Sequence, residues 1–257
     1  MTFQHWIFLS PHFDDVALSC GGLVFSLTQQ DHRVEIWTIM AGFPPDEDFS
    51  EFAEKNHRAW GMTGAQAIRM RMAEDQAACT ILGALVRHWL WPDAIYRREE
   101  GSGRPLVKDN EELFSKHPED ALIAEITQML IKEFPQEAKI VFPIGLGNHI
   151  DHQAVLAASE RYPHESHYYA DYPYILENIG YPILNKLHFE KLPITLSPEA
   201  LSAWQESVLC YKSQLSGFWR DEVEARLALR NYAAGGGGSL WKRSDKEQLP
   251  GRKFLLL

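Results

Sequence analysis

The stretch "HWIFLSPHFDDVALSCGG", residues 5–22, contains the signals that decide the fold. Its first six residues form a short apolar run that predicts a buried β-strand, and residues 16–30 predict a helix. Gly21 and Gly22 have no side chain beyond hydrogen, so we expect this helix to pack closely on a sheet. A second apolar run, "RVEIWTIM" at 33–40, completes a β-α-β unit and therefore predicts a parallel sheet.

The rest of the chain continues this alternation. Helices are predicted at 65–84, 119–134, 151–161 and 197–215, and strands at 85–91, 138–143, 167–174 and 187–193. Long polar loops are predicted at 41–58, where the end turns helical, and at 97–117, and the glycines of "AAGGGGS" at 233–239 predict a flexible loop.

The domain organisation follows from the continuity of this pattern. We find no linker and no internal repeat, so residues 1–257 are predicted to form one α/β domain. Its expected architecture is a Rossmann-like three-layer fold with a mostly parallel sheet. The motifs described below fall within residues 5–215, and 216–257 are interpreted as a C-terminal extension.

Composition excludes several classes of function. The formal net charge is −10 and the 25 Lys and Arg residues are scattered, which argues against a nucleic-acid partner. The three cysteines are far apart and favour neither disulfides nor a thiolate zinc site, so we expect a cytoplasmic location. The sequence has neither a secretory leader pattern nor a membrane-spanning apolar run, and it is compatible with a homo-oligomer.

Histidines and aspartates cluster at the ends of two predicted strands. His12, Asp14 and Asp15 follow the first strand, and "HIDH" at 149–152 follows the fourth. In parallel sheets, ligands bind outside the carboxyl ends of the strands, so we expect both clusters to meet there. Two histidines and one aspartate suit a catalytic zinc ion; choosing His12, Asp15 and His152 leaves Asp14 and His149 as candidate acid and base.

Structural roles explain the same residues less completely. Asp14 or Asp15 is a natural cap for the helix that begins near Val16. Asn148 as N-cap, with Asp151 in the first turn, is an ordinary capping arrangement as well. The coincidence of two such clusters at neighbouring strand ends favours the metal site.

At these residues the sequence resembles the PIG-L (LmbE-like) family of metal-dependent de-N-acetylases. Pro11, His12, Asp14 and Asp15 match its Pro/Ala-His-Pro-Asp-Asp-Glu motif, and residues 149–155 match its His-x-Asp-His-x-x-Val motif. Weaker similarity continues in "RMAED", "DYPY" and "CYKSQ". Phe13 and Val16 depart from the family's usual Pro and Glu, but the positions of the ligands and the base are intact. We therefore expect a divergent but active member whose substrate preference is open to change.

The resemblance implies a role for each motif residue. Zinc, or another divalent metal, would be bound by His12, Asp15 and His152, with Asp14 as general base. His149 would stabilise the oxyanion or donate a proton in its protonated form, and Asp151 would hold His149. The substrate would be a small-molecule amino-sugar conjugate whose N-acetylglucosamine loses its N-acetyl group. Because the sequence has no membrane span, we expect this conjugate to be soluble.

Two further residues are candidate substrate ligands, namely Arg71 and Asp93, although a solvated helix position and a turn are ordinary places for them. The 41–58 and 97–117 loops are predicted to rim the site and select the aglycone. The acidic residues of the first loop would disfavour an anionic aglycone unless Arg71, Arg97 or Arg98 offsets them. The alternatives are a zinc hydrolase of another amide or ester, a non-catalytic metal-binding regulator and a nucleotide-binding module, which the absence of GxGxxG disfavours.

Overall fold

The computed structural model describes residues 2–44, 48–177, 184 and 188–243. Within these ranges the strands form one seven-stranded sheet with the order β3-β2-β1-β4-β5-β7-β6. The strands are β1 (His5–Ser10), β2 (Arg33–Thr38), β3 (Leu85–His88), β4 (Ala138–Pro143), β5 (Ser166–Tyr169), β6 (Phe189–Leu192) and β7 (Leu240–Arg243). The first five in this order are parallel, and β7 runs antiparallel to both β5 and β6. The predicted α/β fold with a mostly parallel sheet in a single domain is confirmed.

Helices cover both faces of the sheet. They are α1 (Asp15–Thr28), α2 (Glu51–Trp60), α3 (Gly64–Leu82), α4 (Asn110–Ser115), α5 (Asp120–Glu133), α6 (Ile150–Arg161), α7 (Pro198–Val208), α8 (Lys212–Phe218) and α9 (Glu222–Ala234). Side chains alternate along β1, so Trp6 and Phe8 join the apolar layer under α1 and α3, whereas Ile7 and Leu9 join the layer under α5 and α6. The result is the predicted three-layer arrangement.

The glycine pair of α1 packs on a helix rather than on the sheet. A Cβ atom on Gly21 would lie 2.6 Å from Cδ1 of Trp204, a residue of α7. The indole of Trp204 is fully buried and donates a hydrogen bond to the Ala17 carbonyl at 2.6 Å. The glycines therefore allow close helix packing as expected, but their partner is α7.

Three predicted segments differ from the structure. The predicted helix at 197–215 is two helices, α7 and α8, because the buried Tyr211 turns inward and donates a hydrogen bond to Asp75 at 2.8 Å. The 97–117 loop contains α4, whose first turn is capped by the Asp109 carboxylate. The glycines at 235–238 form a packed turn rather than an open loop, since a Cβ on Gly237 would lie 2.4 Å from the Tyr232 ring.

Residues after 216 take part in the same sheet. α9 leads through the glycine turn into β7, which lies between β5 and β6. Parts of three expectations lie outside the described residues: the acidic residues Asp46 and Glu47, the first residue of the 187–193 strand, and residues 244–257 of the extension. Among the helices in the described ranges, none combines the length and the apolar character needed to cross a bilayer.

The strand order places the two histidine and aspartate motifs side by side. β1 lies between β2 and β4, and the chain leaves β1 toward β2 on one side and reaches β4 later on the other. Such a reversal of strand order opens a crevice at the carboxyl ends of the two central strands. The 11–15 turn follows β1 and the 149–152 segment follows β4 after a short turn, so both reach this crevice.

Candidate metal and active site

The turn after β1 is held by hydrogen bonds between its own backbone amides and nearby side chains. The amide of His12 donates to Oδ2 of Asp15 at 2.7 Å, and the Ser10 hydroxyl accepts from the amide of Val16 at 3.2 Å. Asp14 is the N-cap residue of α1, but its side chain makes no capping hydrogen bond to that helix. Its carboxylate is buried, so capping does not explain why an aspartate stands at this position.

The second segment begins α6 with a different cap from the one considered for Asn148. His149 is the N-cap residue, and its Nδ1 accepts the amide N–H of Asp151 at 3.2 Å. Asp151 and His152 lie in the first turn and are buried. The cap fixes the tautomer of a neutral His149, because Nδ1 is the acceptor and Nε2 therefore carries the proton.

Asp15 lies between two imidazole rings. Its carboxylate is 3.4 Å from Nδ1 of His12 and 3.3 Å from Nε2 of His152. The far nitrogen of each ring contacts another carboxylate: His12 Nε2 is 3.1 Å from Asp151, and His152 Nδ1 is 2.7 Å from Asp171. Metal-binding histidines characteristically have their second nitrogen held by a carboxylate in this way. Asp15 thus contacts one nitrogen of each ring, and the other nitrogen of each ring is held by a second carboxylate.

Charge compensation distinguishes Asp15 from the other carboxylates of the site. An Arg71 nitrogen lies 3.0 Å from Asp14, and an Arg97 nitrogen lies 2.7 Å from Asp151. The ion-pair partners of Asp15 in the described residues are His12 and His152. Burial opposes ionisation, yet the two histidines hold the pKa of Asp15 well below its usual value. Positive charge is therefore favoured beside Asp15, where a divalent cation would supply it.

Two other groupings of donors include His12. Ligand atoms of His12, His149 and His152 lie within 4.8 Å of one another, as do those of His12, Asp93 and Asp151. The first grouping has only neutral nitrogen donors, and in the second the Asp151 carboxylate is already neutralised by Arg97 and bonded to the Ala94 amide at 3.0 Å. The set of His12, Asp15 and His152 combines two imidazoles with a carboxylate whose ion-pair partners in the described residues are these two histidines.

Asp14 has the environment of a base. Burial raises the pKa of its carboxyl, and Arg71 opposes part of that rise. Arg71 also stacks on Phe13, with its guanidinium carbon 5.2 Å from the ring centroid. Phe13, which replaces the proline of the family motif, thus forms one wall of the pocket that holds Arg71 against Asp14. Arg71 is not the solvated helix residue of the ordinary interpretation, since its side chain is 12% exposed.

His149 and His152 titrate in opposite directions. Burial and the neighbouring His12 lower the pKa of His149 well below its usual value. Burial acts in the same sense on His152, but Asp15 and Asp171 overcome it and raise the pKa of His152 to about 10. His149 is therefore neutral in this arrangement, and its Nε2–H is available as a hydrogen-bond donor. The lowered pKa favours the neutral form of His149, whereas the resemblance implies a protonated one.

Asp151 does not hold His149 through its carboxylate. The carboxylate contacts His12, Arg97 and the Ala94 amide, and only the backbone N–H of Asp151 reaches His149. Asp151 therefore positions the His12 ring. Arg97 and Glu119 form a further ion pair at 2.9 Å, so the Asp151 position is tied to the 97–117 loop and to the start of α5.

Asp93 has the turn role that the sequence considered, and it also lies beside the histidine cluster. One oxygen accepts the Ile95 amide at 3.1 Å and caps a short 3₁₀ helix, Ala94–Tyr96. The other oxygen lies 3.6 Å from Nε2 of His12. Asp93 is partly exposed at the edge of the cluster, which leaves it accessible to a ligand.

Several residues of the site were missed or left without a role in the sequence analysis. Asp171 bonds to His152 and also accepts the Gly145 amide at 2.8 Å. It follows β5, the neighbour of β4, so the strand-end rule that found the two motifs would also have found it. The rings of Phe114 and Tyr174 lie 5.3 Å from His149 and 6.0 Å from His152, respectively. Tyr174 lies in the "DYPY" stretch of weaker family similarity, whereas no sequence signal marked Phe114.

The fold and the site together define a class of protein: an α/β domain with a buried cluster of histidines and carboxylates at the switch point of a parallel sheet. Comparisons with known proteins lead to the same class. The model of the PIG-L family, described as GlcNAc-PI de-N-acetylase, matches residues 7–162. The chain is 28% identical over 240 residues to the 2'-N-acetylparomamine deacetylase of Niallia circulans, covering 86% of this chain and 85% of that protein.

Solved structures show the same relationship. A deacetylase–teicoplanin complex from the teicoplanin biosynthesis pathway aligns with a TM-score of 0.72 and 26% identity, over 95% of this chain and 100% of that chain. The A40926 pseudoaglycone deacetylase aligns with a TM-score of 0.65 and 26% identity, over 93% and 96% of the two chains. This chain belongs to the PIG-L family of de-N-acetylases.

Proposed function

We propose that the protein is a metal-dependent hydrolase that removes the N-acetyl group from an N-acetylglucosamine-containing conjugate and releases acetate and a free amine. The observation that carries the proposal is the position of Asp15 between His12 and His152, at 3.4 and 3.3 Å, with the buried carboxylate of Asp14 beside it in the chain. A metal site and a base in one buried crevice are what hydrolysis of an unactivated amide requires.

His12, Asp15 and His152 would hold the metal, for which we propose zinc. When bound, a divalent cation lowers the pKa of a coordinated water and polarises the acetyl carbonyl. Asp151 and Asp171 orient the two imidazoles from behind, so the ligand nitrogens face the crevice before the cation arrives.

Asp14 is the proposed general base. Its raised pKa brings the carboxylate closer to the basicity needed to take a proton from the attacking water, while Arg71 favours the ionised form. After that transfer Asp14 carries a proton that it can donate to the departing amine. Neutral His149, with Nε2–H as its donor, is proposed to hydrogen-bond the oxyanion that develops on the acetyl oxygen.

The substrate class rests on the relatives and on the rim of the crevice. The family description specifies an N-acetylglucosamine compound, and the curated relative is named for an N-acetylated compound. Arg71 and Asp93 are the proposed contacts to the sugar. The sequence-based expectation of a soluble conjugate and a cytoplasmic location is retained as part of the proposal.

The two loops are proposed to select the aglycone. Arg98 of the second loop pairs with Asp48 of the first at 2.9 Å, and Tyr96 lies 2.9 Å from His57 of α2. Phe52 and Leu113 pack in the same apolar cluster as Phe13. The loops thus form one joined wall beside the first motif, and Arg98 compensates one of its acidic residues.

The test is amine release from a panel of N-acetylated sugars by the metal-loaded protein. Release of equal amounts of acetate and free amine from N-acetylglucosaminides, and its loss after chelation of the metal, would support the proposal. Hydrolysis of N-acetylated peptides or of simple esters, with no sugar in the panel accepted, would contradict the substrate class and leave a zinc hydrolase of another kind.

A further inference from the structure

A second cavity lies outside the His/Asp crevice, on the face of the sheet covered by α5. It has a volume of about 460 Å³ and is lined by Trp89, Leu90, Trp91, Glu125, Gln128, Met129, Lys132 and Glu133. We call it the tryptophan groove. Its volume falls within the range of about 300–1,000 Å³ that small-molecule sites occupy. None of the residues assigned to the reaction above lines it.

The two indoles of the groove form a fixed platform. The Trp89 and Trp91 rings are nearly parallel, with centroids 6.0 Å apart and an interplanar angle of 26°. Trp91 donates its indole N–H to Glu125 at 2.8 Å, and Arg87 lies over the Trp89 ring at 4.1 Å while it pairs with Glu133 at 2.9 Å. Aromatic side chains held in this way lose little conformational entropy when a ligand binds.

The backbone under the platform is equally constrained. The Trp89 amide donates to the Thr38 carbonyl at 2.8 Å, and the Trp91 carbonyl accepts the Gly42 amide at 2.9 Å. A Cβ on Gly42 would lie 2.1 Å from the Leu90 carbonyl oxygen, so the two segments are packed as closely as they can be. Leu90 itself is 78% exposed, and the groove therefore opens to solvent.

We propose that the tryptophan groove binds a neutral sugar ring, as a subsite for the part of the conjugate that lies beyond the N-acetylated residue. The lining combines an aromatic face with carboxylates, a carboxamide and an ammonium group. A sugar ring stacks its C–H face on an indole and hydrogen-bonds its hydroxyls to such groups at the edge. An aliphatic chain or a flat aromatic ring would fill the same space but would desolvate Glu125 and Gln128 without pairing them.

A short stretch of chain joins the groove to the crevice. Trp91 is two residues before Asp93, whose carboxylate lies 3.6 Å from His12. Two residues of extended chain span at most about 7 Å, so the backbones of Trp91 and Asp93 are near neighbours. This proximity along the chain is the ground for assigning both places to one elongated conjugate. This connection rests on the proposed function, whereas binding of sugar to the groove can be measured without turnover.

The test is calorimetric titration of the metal-loaded protein with cellobiose, a neutral disaccharide without an N-acetyl group. We expect saturable binding that Trp91→Ala weakens at least about tenfold, the loss typical of an aromatic anchor in a binding site. Trp91→Phe keeps an aromatic face and should retain most of the affinity. Trp219→Ala is the matched control, because Trp219 is also stacked on an aromatic ring, that of Tyr172, but lies outside the groove.

Turnover separates this inference from the proposed function. In Trp91→Ala, KM should rise for an N-acetylated disaccharide and stay unchanged for methyl N-acetylglucosaminide. Absence of cellobiose binding to the wild-type protein, equal binding by Trp91→Ala, or binding of phenol in place of cellobiose would each overturn the sugar subsite. Trp91-dependent cellobiose binding by a protein that deacetylates no sugar would leave the subsite standing and refute the proposed reaction.

Discussion

The two motif segments supply half of the site each, but they are held in different ways. The 11–15 turn is fixed by contacts within a few residues, from the His12 amide to Asp15 and from Val16 to Ser10. The 149–152 segment depends on residues far away in the chain, since Asp171 orients His152 and Arg97 neutralises Asp151. The backbone turn of the first half is therefore encoded locally, whereas its His12 and Asp14 side chains and the second half depend on distant partners that meet only once the sheet has assembled.

The second segment also shows how one residue type receives two roles. His149 and His152 are both buried, three residues apart, and yet the pKa of one is lowered well below its usual value while that of the other is raised to about 10. Two flanking carboxylates account for His152, and burial beside His12 accounts for His149. Groups whose surroundings drive their pKa values apart are natural candidates for different tasks, here a metal ligand and a hydrogen-bond donor.

The largest effect is expected for His152→Ala. Removing one of the three proposed ligands should release the metal and abolish turnover, because the remaining pair cannot complete a catalytic site. Metal content after gel filtration and amine release measure the two losses. His164→Ala, at an exposed position outside the site, is the control. Full metal occupancy in His152→Ala would show that the ligands lie elsewhere in the cluster.

The next largest effect is expected for Asp14→Asn, which separates the base from the metal site within the locally held turn. The amide keeps the size of the carboxylate and can still accept from Arg71, but it cannot take a proton. Turnover should fall by about 10²–10⁴ while metal content is unchanged. Asp120→Asn, at an exposed carboxylate, is the matched control. A metal-loaded Asp14→Asn protein with nearly normal turnover would rule out Asp14 as the base.

The contrast between local and distant contacts explains which features could be predicted from the sequence. β1, α1, β4 and both motifs follow from short patterns, because apolar runs and strand ends are local features. The Asp171 and Arg97 contacts depend on partners 19 and 54 residues away from His152 and Asp151, and only the strand-end rule and the similarity in "DYPY" pointed toward Asp171. The break between α7 and α8 is likewise set at a distance, by the hydrogen bond from Tyr211 to Asp75. Local periodicity has no access to such pairs.

His149→Ala tests the donor role of the second segment. Loss of one oxyanion donor typically costs about 10²–10³ in turnover, and we expect that loss with metal content nearly unchanged. His149→Gln, which retains an N–H donor, should recover part of the rate. If His149→Ala instead lost its metal, His149 would be a ligand, as the grouping of His12, His149 and His152 permits.

Asp171→Asn tests whether the contact from Asp171 to His152 matters for metal binding. The carboxamide still reaches His152 but carries no charge, so the imidazole becomes a weaker electron-pair donor to the metal. Changes of this kind typically lower metal affinity by about 10–100-fold. Competition with a chelator of known affinity measures the change, and Asp120→Asn again is the control. An unchanged affinity would mean that Asp171 only positions backbone groups, such as the Gly145 amide that it accepts.

The smallest effect concerns a buried histidine outside the site. Burial and the nearby Lys242 lower the pKa of His167, on β5, to about 4, and no partner for its Nδ1 is found among the described residues. The unfolded chain, with a histidine pKa of about 6.5, binds more protons than the folded chain below that pH, so the free energy of unfolding should fall as pH falls from about 6.5 to 4. His167→Phe removes the titrating group and should flatten this part of the profile in urea unfolding, whereas His164→Phe should not. If the slope of unfolding free energy against pH were unchanged in His167→Phe, other groups would cause the acid sensitivity. Burial without a carboxylate partner would then not explain why His167 differs in pKa from His152.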